Sequence, residues 1–386
     1  MIYLDNCATT KVRPEVRDFL IKSLDADFAN PSALHSFGMK AEESMEEARK
    51  TIGDFLGVRP KEIFFTSGGT ESDNTFISSA IEKNKKFGKK IITSKLEHDA
   101  VLEVYKKYQS LGYEVHYLSC DSYGRADLDE LSDLMDESVI LVSLIHVNNE
   151  LGTVNDIKKA VEIVREKNKK TLFHSDGVQA FGKIKVDLRD LGVDGYSISG
   201  HKVHGPKGTG ALFVKDGTNL EPFILGGGQE GGFRSGTENT NGIFAFAKAV
   251  EILAKNFDAE TRHKEALKYQ VLDFVKTIDD VVINSPKDAP GCILNLSFLD
   301  TRGEVILHYL EQDQIYISTG SACHSNRKSQ TNLEKIGLDP RIAEGSIRLC
   351  FSYENTKEDI DLFLEKLKFA VEDIRKITTK RKRWDK

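Results

Sequence analysis

Two patterns in the sequence predict an α/β fold with a mainly parallel sheet covered by helices and a second, smaller α+β domain. Between about residues 15 and 250, short apolar strands alternate with amphipathic helical stretches, the order that builds a parallel sheet covered by helices. After Glu251–Gln270, which reads as a charged connecting helix, the order changes. An apolar strand at Cys292–Phe298 is followed by a helix near 303–312 and an alternating strand at Ser346–Phe351. A last helix carries Ile360, Phe363, Leu364, Leu367 and Val371 at core-facing spacing. The expected division is a large domain over 15–255 and a small domain made of 1–14 and 256–386.

Taken in chain order, the strands end on residues suited to chemistry. Glu62–Thr66 reads as a strand, and Ser67-Gly68-Gly69-Thr70-Glu71-Ser72 turns it into a helix. Glycines there let backbone N–H groups approach an anion, the helix N-terminus adds positive charge, and Thr70 adds a hydroxyl. An ordinary Gly-rich turn capped by Thr or Ser is the plain alternative. Lys90–Ser94 leads to Glu97-His98-Asp99, where His98 could stack on a flat ring and move protons, or simply begin a helix. Val139–Ile145 leads to the amides of Asn148-Asn149. Thr171–Asp176 ends in a carboxylate, placed where ligands bind in open α/β sheets, with Gln179 three residues on. Helix capping is the simpler role for Asp176.

Val193–Ile198 leads to Ser199-Gly200-His201-Lys202, with glycines at 205, 208 and 210 beyond. A lysine at a strand end among small residues can be desolvated, which lowers its pKa and frees the amine to attack a carbonyl. Lysine, acid, flat ring and anion cradle together are what pyridoxal phosphate requires of a protein. In the smaller region Arg348 lies on an alternating strand and can bind a carboxylate bidentately. Cys323 lies in the polar run Ser318–Ser329 beside His324 and Arg327. Burial cannot explain a thiol there, and nearby positive charge favours thiolate.

Composition narrows the class. The 386 residues are 39% apolar and 30% charged, as in a soluble globular protein, and the net charge of −6 argues against general nucleic-acid binding. No apolar run approaches the roughly 20 residues that span a bilayer. The start lacks the features of a signal peptide, and the five cysteines at 7, 120, 292, 323 and 350 show no zinc spacing, so no metal and a cytoplasmic location with reduced thiols are expected. Cys7 is expected near the site entrance and the other three in apolar or strand-like settings. The basic end Lys380–Trp384 reads as a frayed tail.

With these residues in view, the chain resembles the cysteine desulfurases of the class V aminotransferase family, the type that supplies sulfur for iron–sulfur clusters. The resemblance runs from Tyr3-Leu4-Asp5-Asn6-Cys7-Ala8-Thr9-Thr10 through Gly68–Asn74, Glu97-His98, Asn148–Glu150, His174–Gln179 and Ser199–Lys202. It continues through Gly226–Glu230, Arg234–Thr237, Ser321-Ala322-Cys323 and Ser346–Arg348. It implies the α/β fold of PLP-dependent transferases of the aspartate aminotransferase type, with a mainly parallel seven-stranded sheet in the large domain and a smaller α+β domain, a homodimer, and a role for each matching position. Lys202 would carry pyridoxal 5'-phosphate, Asp176 pair with the ring nitrogen, Gln179 contact the ring hydroxyl and His98 stack on the ring and act as acid/base. Gly69, Thr70, Ser199 and His201 would hold the phosphate, joined by Thr237 across the dimer interface. Asn149, also a cofactor contact, and Arg348 would hold L-cysteine, and Cys323, in a loop over about 318–331, would receive its sulfur as a persulfide, leaving L-alanine. An acceptor protein, a cluster scaffold or a thiolation enzyme for tRNA or a cofactor, would take the sulfur.

Two positions depart from the family pattern. Gly69 and Gly177 stand where alanine is common, and the missing methyls are expected to loosen both turns. A selenocysteine lyase or another PLP-dependent lyase is the enzymatic alternative, and a catalytically idle sulfur carrier the non-enzymatic one.

Overall fold

The computed structural model describes residues 1–319 and 331–384. Its strands, in chain order, are β1 (Ile2–Tyr3), β2 (Ile63–Thr66), β3 (Lys90–Ser94), β4 (Glu114–Leu118), β5 (Val139–Ser143) and β6 (Leu172–Asp176). They continue with β7 (Gly195–Ser199), β8 (Gly210–Val214), β9 (Val281–Ile283), β10 (Ile293–Phe298), β11 (Ile315–Tyr316) and β12 (Ser346–Cys350).

Seven of them form the central sheet in the order β2-β8-β7-β6-β5-β3-β4. The run β7-β6-β5-β3-β4 is parallel, while β8 pairs antiparallel with both β7 and β2. Helices Asp99–Ser110, Leu128–Leu134, Ile157–Lys167 and Leu188–Leu191 make the crossovers that parallel neighbours need. β3 and β5 are buried along their whole length, which is why Lys90-Ile-Ile-Thr-Ser94 and Val139-Ile-Leu-Val-Ser143 carry almost no alternation. Ile91, Ile92, Leu141 and Val142 are fully buried, each contributing about 1.5–3 kcal/mol of transfer free energy. The edge strand β4 is instead half-exposed, and its polar Glu114 and His116 fit that position.

Because β8 reverses direction on both sides, β2 runs in the same sense as β7. The C-terminal ends of β2, β3, β5, β6 and β7 therefore meet along one edge of the sheet. That edge is where open α/β sheets bind ligands.

A second core holds Ile2, Leu4, Leu296, Phe298, Phe363 and Val371 among others, built on the antiparallel sheet β12-β10-β9 and the parallel pair β1-β11. The connecting helix is longer than its charged middle suggests. It runs Thr240–Val275, with Ile243, Phe246, Val250 and Leu253 in the large core and Leu267, Val271 and Val275 in the second. The C-terminal helix runs Lys357–Trp384, so the basic end expected to fray continues it. Among the described residues no helix is long and apolar enough to cross a membrane.

Candidate active site

The turn expected to hold a phosphate, Ser67–Ser72, follows β2. The helix Gly69–Asn84 starts at Gly68 with no side-chain cap, so the expected Thr or Ser cap is absent and the first N–H groups are left for another acceptor. Ser199, at the end of β7, faces this turn: a Cβ on Gly68 would lie 3.8 Å from its Oγ. That hydroxyl is buried and has no hydrogen-bond partner in the protein. An orphaned buried donor beside an uncapped helix start is what an anion cradle looks like before its anion is counted. Thr70 is exposed at the same turn. His201 hydrogen-bonds Thr9 Oγ1 at 3.1 Å, and burial with the neighbouring lysines Lys202, Lys207 and Lys183 holds its ring down at about 4, so it is neutral.

Lys202 closes a short 3-10 turn, Gly200–Lys202, directly after β7. Its Nζ donates to the backbone carbonyls of Cys7 at 2.6 Å and Ala8 at 2.9 Å. Burial, reinforced by the charge of Lys183, lowers its pKa from 10.5 to about 8. Asp176 ends β6, wholly buried, and accepts the Val178 N–H at 2.9 Å. Burial pushes its carboxyl up, opposed by His98, the Val178 N–H and Lys202. A buried carboxylate short of cations fits a protonated ring nitrogen. Gln179 donates to the Cys7 carbonyl at 2.9 Å, and its Oε1 accepts from Lys183. His98 caps Asp99–Ser110, its Nδ1 accepting the Ala100 N–H at 3.1 Å, which leaves the exposed Nε2 side free for a ligand.

On the facing side, Arg348 of β12 is 7% exposed. It donates to Asp5 Oδ1 at 2.7 Å and to the Asn149 backbone carbonyl at 2.9 Å, while its buried Nε has no partner. The acidic neighbours and thiols raise its pKa despite burial, so the guanidinium stays charged. Asn149 is thus tied to Arg348 through its main chain.

Gly177 and Gly69 do not loosen their turns, contrary to expectation. A Cβ on Gly177 would lie 1.9 Å from Tyr196 Cε1, and one on Gly69 would lie 2.5 Å from Val178 Cγ2. Larger side chains occupy the methyl positions. Cys7 also differs from its expected place: it is buried at 2% exposure, not at an entrance. Thr237 is exposed, in a segment pinned beside the turn after β2 by the Arg234–Glu71 ion pair at 2.8 Å. Cys323 lies outside the described residues.

Sequence reasoning assigned no role to Asp5 or Lys183. Asp5 stands inside the N-terminal motif, and only its parallel bridge to Cys350 brings it to Arg348. Lys183 follows Gln179 by four residues, a spacing that could have suggested the contact.

A model of the class-V aminotransferases matches residues 2–363. The chain belongs to that family. Within it, the chain is 40% identical over 387 residues to the cysteine desulfurase IscS of Dictyoglomus turgidum, covering 99% of this chain and 98% of the relative. It is 41% identical to the cysteine desulfurase IscS of Vibrio vulnificus, covering 97% of this chain and 93% of the relative. A solved NifS-like protein superposes with a TM-score of 0.91 at 38% identity, over 96% of this chain and 99% of that one. SspA, solved in complex with cysteine, superposes with a TM-score of 0.81 at 32% identity, over 92% of this chain and 100% of that one. This class-V aminotransferase relative is a cysteine desulfurase, and its family is one of PLP-dependent enzymes.

Proposed function

We propose that this desulfurase converts L-cysteine to L-alanine through a persulfide on Cys323, with pyridoxal 5'-phosphate held on Lys202. The observation that carries the reading is the buried, unpartnered Ser199 hydroxyl at an uncapped helix start, on the same sheet edge as Lys202 and Asp176. When bound, the cofactor supplies an electrophilic carbon and an electron-accepting ring. Gly69, Thr70, Ser199 and His201 would hold its phosphate, with Thr237 reaching from a second copy of the chain. Asp176 would pair with the ring nitrogen and hold it protonated, Gln179 would contact the ring hydroxyl, and His98 would stack on the ring.

Arg348, with one guanidinium edge on Asp5 and Asn149, has its buried Nε still to satisfy, and the substrate carboxylate is the matching acceptor. Asn149 helps to hold that substrate. Lys202 accepts and returns the α-proton at Nζ, a task its lowered pKa suits near neutral pH. Cys323 takes the sulfur and passes it to an acceptor, a scaffold for iron–sulfur cluster assembly or a thiolation enzyme, in the cytoplasm. The fold is read as two domains, 15–255 and 1–14 with 256–386. A homodimer is supported by large apolar side chains left open on one chain, Leu34 at 97% exposure and Leu225 at 81%.

The test is Cys323→Ser. This variant is expected to bind pyridoxal phosphate and L-cysteine with normal spectra and to form no alanine at a useful rate. Alanine release at the parental rate would mean direct elimination, the lyase alternative.

A further inference from the structure

Behind Lys202, three thiols converge. Cys7, Cys292 and Cys350 line a cavity of about 30 Å³ together with Lys183 and Lys202. One water-sized atom needs about 10–15 Å³, so a single added sulfur has room. Cys7 and Cys350 are 2% and 0% exposed, and both line this cavity. Their backbones are locked side by side: the Cys350 N–H donates to the Leu4 carbonyl at 2.7 Å, and the Asn6 N–H donates to the Cys350 carbonyl at 3.4 Å. Lys183 Nζ lies 3.9 Å from Cys7 Sγ.

Most buried cysteines are inert small hydrophobes. This pair faces cations. Burial pushes the Cys7 thiol up, but the Cys350 hydrogen bond and the charges of Lys183, Arg348 and Lys202 outweigh it and favour thiolate. Burial and the facing Cys7 push Cys350 up, so it keeps its proton. The remaining groups around the cavity do not reverse this. Glu260 is engaged by Arg13, Lys264 adds positive charge, burial holds His204 neutral at about 3, and burial raises Cys292.

We propose that Cys7 and Cys350 form a sulfane-sulfur trap beside the catalytic lysine, Cys7 accepting the outer sulfur of a small hydropersulfide and Cys350 discharging it as sulfide. In the first step the Cys7 thiolate attacks the outer sulfur of R–S–SH. The bond from Cys7 to that sulfur forms, the S–S bond of the donor breaks, and R–S⁻ leaves, giving Cys7–S–SH. In the second, Cys350 attacks the Cys7 sulfur, the Cys7–Cys350 bond forms, and the outer sulfur leaves with both protons as H₂S. The two thiols lose two electrons and the sulfane sulfur gains them, so no further oxidant is needed. The resulting disulfide would fix the Cys7 carbonyl that holds Lys202 and Gln179, two residues along β12 from Arg348. Sulfur accumulating without an acceptor would thereby slow the enzyme. The source of persulfide rests on the function proposed above; the chemistry of the pair does not.

The experiment treats the holo Cys323→Ser protein with sodium disulfide, blocks free thiols after denaturation and maps the peptides. The expected result is a Cys7 peptide carrying one added sulfur, or joined to the Cys350 peptide with loss of two hydrogens. Cys350→Ser should retain the added sulfur on Cys7 and form no cross-link. Lys183→Met removes one facing cation and should shift the pH dependence of Cys7 labelling toward higher pH. Recovery of Cys7 and Cys350 as free thiols under conditions that label the half-buried Cys120 would overturn the proposal. If a variant fails to fold, the same map of the parent chain decides. No turnover is required, so a failed desulfurase reading would leave the Cys7 adduct in place, and a missing adduct would leave turnover untouched.

Discussion

Ser199 separates binding from folding. Its Oγ has no protein partner, so removing it forfeits no protein hydrogen bond. Ser199→Ala should leave the melting temperature of the apo protein unchanged or slightly raised. A hydrogen bond to a charged phosphate is worth about 1.5–3 kcal/mol, so cofactor affinity should fall roughly tenfold or more. Equilibrium dialysis and a melt of the same sample check both halves; an equal loss of apo stability would assign Ser199 a structural role. Lys202 makes a second prediction. Its pKa is about 8 in the fold against 10.5 for an ordinary lysine, so between these the unfolded chain binds more protons and this group's contribution to stability rises with pH. Its penalty on folding is full below about 8 and gone above 10.5. Capture of pyridoxal phosphate by the apo protein, trapped with borohydride and mapped to Lys202, should rise with a midpoint near 8. A midpoint near that of a solvated lysine would contradict the desolvated site.

At the scale of elements, the site depends on turns after strands, and those turns depend on the strands beneath them. Gly177 is small because Tyr196, in the neighbouring β7, fills the space of its Cβ and hydrogen-bonds His146 Nδ1 at 2.7 Å. Gly177→Ala should destabilise the protein by about 1–3 kcal/mol through overpacking. Combined with Tyr196→Ala, which opens the space, the loss should be smaller than the sum of the two single losses. Additivity in denaturant titrations would show that the two residues do not compete. The strand ends that carry His98, Asp176 and Lys202 were legible in the sequence, because apolar runs stop abruptly at polar residues. The Gly177–Tyr196 exchange was not, because it sets the turn after β6 against a side chain of β7, 19 positions away.

At the scale of the molecule, one chain leaves Leu34, Leu225 and Phe28 open to solvent and Thr237 exposed beside a pinned segment. The proposed dimer should appear in sedimentation as a single species that retains its cofactor. Leu34→Asp with Leu225→Asp should shift it toward monomer and weaken cofactor retention together, since in the proposed assembly Thr237 would serve the other subunit's phosphate. A monomer with full cofactor occupancy would break the link between assembly and site.

Local patterning by itself determined the alternation of strands and helices, and therefore a helix-covered parallel sheet with its polar residues at strand ends. It also determined the kinds of group present: an amine, a carboxylate, an imidazole and a guanidinium. Tertiary structure alone decided which of them share a solvent-poor space. Lys202 becomes a weaker base because burial and Lys183 surround it, and Arg348 is fixed because the N-terminal Asp5 bridges to β12. The same bridge sets Cys7 against Cys350, 343 positions away, and turns two separate cysteines into a facing pair. Charge and solvation act through distances of a few ångströms, and those distances are fixed by sheet register and packing rather than by position along the chain.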